Sequence, residues 1–85
     1  MRIGYVRGEV TRGMFPNERG FVLRDHAGKT VSTLVSERAV IEERKLLRVD
    51  VVESRGDKSL VLIPGEVYGD GSLVTVNNSE LEATP

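Results

Sequence analysis

The chain has 85 residues, 39% hydrophobic and 29% charged, with a formal net charge of −1, one histidine and no cysteine. That mixture excludes a disordered chain, a disulfide scaffold and a thiolate metal site. Its longest uninterrupted apolar run, Leu60 to Ile63, is far too short for a membrane-spanning helix or a signal-peptide core, so the expectation is one small cytoplasmic domain over residues 1–85. The near-neutral total conceals a split, because residues 1–48 carry +4 and residues 49–85 carry −5. Neighbouring strands could pair these charges across a sheet, or the fold could keep them apart as two faces.

The segment from Arg2 to Arg12 predicts the first strand. One face reads Ile3, Tyr5, Arg7, Glu9 and the other Gly4, Val6, Gly8, Val10. Glycines four apart on one face predict a bend, a bulge or the close approach of another backbone. The stretch from Gly13 to Gly20 then reads as a loop, since Pro16 denies it a ladder hydrogen bond. Met14 and Phe15 are unusual there. Two apolar side chains in such a loop mark either a lid folded back over the domain or a contact surface for a partner.

Phe21 to Arg24, the turn Asp25 to Lys29, and Thr30 to Val35 predict a hairpin. The one candidate helix runs from Ser36 to Leu46. Ser36 is suited to cap it, Glu37 sits in its first turn and Arg44 and Lys45 in its last, the polarity that complements a helix dipole. Its apolar spacing is imperfect, so one to three turns are expected.

Leu47 to Val52, Leu60 to Ile63 and Leu73 to Val76, separated by Ser54 to Lys58 and by Gly69-Asp70-Gly71, predict a three-stranded antiparallel meander with tight connections. A faint repetition links Phe21-Val22-Leu23 to Leu60-Val61-Leu62. It also links Gly28, Val31 and Ser36-Glu37 to Gly71, Val74 and Ser79-Glu80. The spacing drifts, and shared strand grammar accounts for most of it. The ending from Gly69 to Glu82, read as a turn, a strand and a short helical turn, resembles the close of SH3-like small barrels, which implies an architecture and no activity.

The expected fold is therefore all-β: a small SH3-like barrel or a two-sheet sandwich of about six strands, pseudo-duplicated if the repetition is real, with at most one short helix. The expected core is Ile3, Val6, Val10, Phe21, Leu23, Val31, Leu34, Val40, Leu47, Val49, Val51, Leu60, Leu62, Leu73 and Val76.

Residues suited to catalysis are scarce. His26 falls in a predicted turn, the acids lack metal-ligand spacing, and no phosphate-cradling glycine loop occurs. Arg55-Gly56-Asp57 matches an integrin-binding tripeptide at a hairpin tip, as three common residues do by chance. Expectation settles on a non-enzymatic protein–protein interaction or assembly module without cofactor or metal, binding a protein partner or itself as a homo-oligomer. Contact would run through the Met14-Phe15 loop and a charged face. The alternative is a nucleic-acid-binding barrel using Arg7, Arg12, Arg19 and Arg24, for which the chain offers few aromatic rings to stack on bases.

Overall fold

The computed structural model describes residues 1–68 and 72–85, with the backbone alone described over 66–68. These residues form ten strands and no α-helix: β1 (Arg2–Arg7), β2 (Glu9–Arg12), β3 (Glu18–Arg24), β4 (Thr30–Ser36), β5 (Val40–Ile41), β6 (Leu46–Arg55), β7 (Lys58–Leu62), β8 (Glu66–Tyr68), β9 (Leu73–Asn77) and β10 (Leu81–Glu82). They build two antiparallel sheets. The first has the order β10-β1-β6-β7-β9, with β5 also paired to β6, and the second the order β2-β3-β4-β8. The two-sheet alternative is the one present. No pairing among the described residues closes a barrel.

Several sequence expectations are corrected. The strand predicted from Arg2 to Arg12 is cut at Gly8, so that β1 enters one sheet and β2 the other. A Cβ at Gly8 would strike the Val22 carbonyl oxygen and the Phe21 ring, so the glycine lets the bent strand lie directly on β3. The predicted helix is instead two single 3-10 turns, at 37–39 and 42–44, flanking β5. Ser36 does cap the first, its side chain accepting from the Arg38 N–H. The consecutive Ala39, Val40 and Ile41 suit a strand better than a helix, and β5 pairs with Leu46 and Leu47.

The meander β6-β7-β9 exists, but its second connection is not tight: β8 leaves it to pair with β4 in the other sheet. The predicted turn at Gly69-Asp70-Gly71 lies outside the described residues. Finally, strands number ten rather than six because several are only two to four residues long.

One core lies between the sheets. Val6, Val49, Val51, Val61, Val74 and Val76 from the first meet Phe21, Leu23 and Val35 from the second, with Val40 beside them. Ile3 and Leu73 point to solvent, while Leu34, Leu60 and Leu62 are half-buried. Strand parity explains each exchange. With Val6 inside, Gly4 must be inside and Ile3 outside. The β6–β7 hairpin sets Ser54 opposite Ser59, so Ser59, Val61 and Ile63 face inward rather than the leucines between them.

Buried Ser59 is fully satisfied. Its hydroxyl donates to Asn78 Oδ1 at 2.5 Å, which leaves Ser54 Oγ as the donor in the 2.8 Å Ser54–Ser59 bond. Asn78 Nδ2 in turn donates to the Gly56 carbonyl at 3.2 Å, tying the hairpin tip to the last 3-10 turn.

The pairing scheme occurs twice. Val6 pairs with Leu47 in the β1–β6 ladder. Val40 pairs with Leu47 on one side, and Leu81 with Val6 on the other. Val40 and Leu81 stand 41 positions apart, as do Val6 and Leu47. The 3-10 turns match too: Glu37 N–H donates to the Asn17 carbonyl at 2.9 Å and Asn78 N–H to the Asp57 carbonyl at 2.8 Å. Ser36-Glu37 thus corresponds to Asn77-Asn78, not to Ser79-Glu80 as the sequence spacing suggests.

Candidate functional site

The two halves diverge most visibly at one connection. A two-residue turn, Gly56-Asp57, closes β6 onto β7, whereas five residues, 13–17, join β2 to β3. That second loop is held from its inner side. Glu18 Oε1 accepts from the Met14 N–H at 2.8 Å, and Glu18 N–H donates to the Phe15 carbonyl at 3.0 Å. Gly13 sits so close to the Glu18 backbone that a Cβ would overlap it, so the loop neck closes only on glycine.

Arg19 fastens the rest. Its Nη1 donates to the carbonyls of Pro16 at 2.8 Å and Glu18 at 2.9 Å. Its Nε and Nη2 reach Glu42 at 3.3 Å and Glu37 at 3.4 Å. The guanidinium therefore links the loop to both neighbouring 3-10 turns, using the several donors that make arginine a fork rather than a point charge.

With its polar atoms turned inward, the loop turns its apolar side chains outward. Met14 is 83% exposed and Phe15 63% exposed. They do not fold back as a lid. They stand instead on the rim of a groove of about 720 Å³, lined by Val10, Thr11 and Arg12 of β2, the loop, and Arg19, Glu42 and Lys45. Among the described residues β2 pairs only with β3, so its other edge borders this groove with unpaired backbone.

The four arginines of the nucleic-acid reading do not share one surface. Arg12 and Arg19 are cross-strand partners in the groove. Arg7 and Arg24 line a separate concavity with Glu9 and Glu80, which offset their charge. Two of the four are committed already: Arg19 as above, and Arg7 to Glu82 at 2.9 Å. The charge poles seen in sequence also meet at this point, since Glu82 takes Arg44 as well, at 3.3 Å.

Sequence reasoning missed Val10, Thr11, Glu42 and Lys45. Lys45 ends its 3-10 turn in the left-handed region at φ 54°, where its carbonyl accepts the Gly8 N–H at 3.1 Å. Nothing in its residue type signals that conformation, which usually falls to glycine or asparagine. Elsewhere, His26 is exposed in the β3–β4 turn and is anchored by its backbone N–H to the Thr75 carbonyl at 2.8 Å. Among the described residues no three histidine, aspartate or glutamate side chains gather as metal ligands.

Comparison with protein-family models, with curated proteins and with solved structures finds no match to this chain.

Proposed function

We propose that this domain is a non-enzymatic interaction module that takes an extended segment of a partner protein against the free edge of β2. Met14 and Phe15 are its apolar anchors and Arg12 a charged contact. One observation carries the reading: an outward-held pair of apolar side chains stands beside an unpaired strand edge, on a groove of about 720 Å³. Added strands gain affinity from backbone hydrogen bonds and specificity from alternate side chains in flanking pockets, and an edge strand with an adjoining groove supplies both.

We infer further that the halves descend from one duplicated unit, which explains the matched registers. The β2–β3 loop is where one copy departed from the plain turn retained by the other. Arg19 and Glu37 occupy the places that Ser59 and Asn78 hold in the second half, so a neutral link became a charged one as the loop opened.

The test is to pan a displayed peptide library on the immobilised protein and measure the enriched sequences against wild type and Phe15→Ala. The reading expects sequences rich in strand-forming apolar residues, with affinity at least about tenfold weaker for the variant. Failure to enrich any sequence, or equal binding by the variant, would overturn it.

A further inference from the structure

We infer that the outer face of the six-stranded sheet is a second, independent contact surface and that its occupant is another copy of this chain. The face can be read row by row from the ladders. Ile3 pairs with Asp50, Asp50 with Leu62 and Leu62 with Leu73, so these four side chains lie side by side across β1, β6, β7 and β9. One row along, Tyr5 pairs with Arg48. On the other side lie Leu60 and Val52, the latter displaced at the bulge between Val51 and Glu53.

Ile3 is 49% exposed, Val52 41% and Leu73 52%, and each extends from a strand of this sheet. A lone exposed aliphatic side chain is ordinary; a contiguous group on one sheet face marks a contact surface. This surface is distinct from the Met14-Phe15 groove, which borders the other sheet.

Its charges identify the occupant. Arg48 and Asp50 are both exposed, project from the same face two residues apart on the central strand, and their side chains make no ion pair or hydrogen bond among the described residues. A partner of either net charge would satisfy one and oppose the other. A second copy satisfies both. With a twofold axis lying across the strands between them, each Arg48 guanidinium meets the other copy's Asp50 carboxylate. The same operation sets Ile3 against the other copy's Tyr5, and the sheets pack face to face in the aligned manner of β-sandwiches. The patch is small, so the dimer is a reversible one.

Sedimentation velocity over a concentration series up to about 1 mM tests this, that range being one in which small interfaces assemble. Wild type is expected to pass from monomer to dimer, and Ile3→Lys to remain monomeric. Arg48→Asp and Asp50→Arg should each weaken the dimer at least about tenfold by setting like charges opposite, while the double exchange restores it. Phe15→Ala should dimerise as wild type does, which separates this surface from the groove. A wild-type monomer throughout, a dimer indifferent to the single exchanges, or one abolished by Phe15→Ala would overturn the inference.

Discussion

At the scale of single residues, Phe15 and Ser59 are opposites. Phe15 turns most of its apolar surface to solvent and is not among the core residues. Phe15→Ala should therefore leave stability within about 0.5 kcal/mol of wild type in chemical denaturation while weakening peptide binding. Ser59 is buried in a chain of donors and acceptors. Removing its hydroxyl strands both Ser54 and Asn78, so Ser59→Ala should cost about 1–2 kcal/mol, read as a lower thermal midpoint. Asp57 differs from both because its side chain is exposed and charged. A hydrogen bond and charge attraction from Lys58 hold its carboxyl below the ordinary aspartate range. A lowered folded value stabilises the fold above the unfolded aspartate pKa and loses that contribution as pH falls through the folded one, a window below about pH 4. NMR titration should find the Asp57 midpoint depressed in wild type and raised by Lys58→Ala.

At the scale of elements, the sequence was most legible where turn chemistry and alternation agreed. The β3–β4 hairpin lies within a residue or two of expectation at its inner ends, and β6, β7 and β9 fall where the branched runs lie. The loop with Met14 and Phe15 was legible from Pro16, but it is shorter than the expected Gly13 to Gly20, because Glu18, Arg19 and Gly20 already belong to β3. Strand phase was not legible. Leu60-Val61-Leu62-Ile63 is apolar at every position, so composition could not say which residues face inward, and only the hairpin register decided for Val61 and Ile63. The segment 36–46 misled for another reason: its capping residues are genuine, but they cap 3-10 turns. Within the site, Arg19 could be singled out as a candidate cation, yet its work is internal. Arg19→Ala should release the loop from the 3-10 turns, seen as faster amide hydrogen exchange over residues 13–18 with the two sheets unaffected.

At the scale of the whole molecule, the duplicated scheme makes each half depend on the other. β1 and β6 pair along their length, and each carries the short strand that ends a half: β10 lies on β1 and β5 on β6. Neither half closes its own sheet, so the 85-residue chain should unfold in a single cooperative transition, with coincident circular dichroism and fluorescence-probe midpoints. A chain of residues 1–44 alone lacks β6 and should give the poorly dispersed NMR spectrum of an unfolded monomer. The opposite charges of the two halves are drawn together at Glu82, which takes both Arg7 and Arg44.

The most direct test of the proposed peptide groove is an amide-detected NMR titration of the full chain with a peptide enriched by panning. The account predicts shifts concentrated at residues 10–16 and at Arg19, Glu42 and Lys45, together with new protection of the outward β2 amides from hydrogen exchange. Shifts confined to Ile3, Arg48, Asp50 and Leu73, or β2 amides that exchange as fast as before, would contradict it.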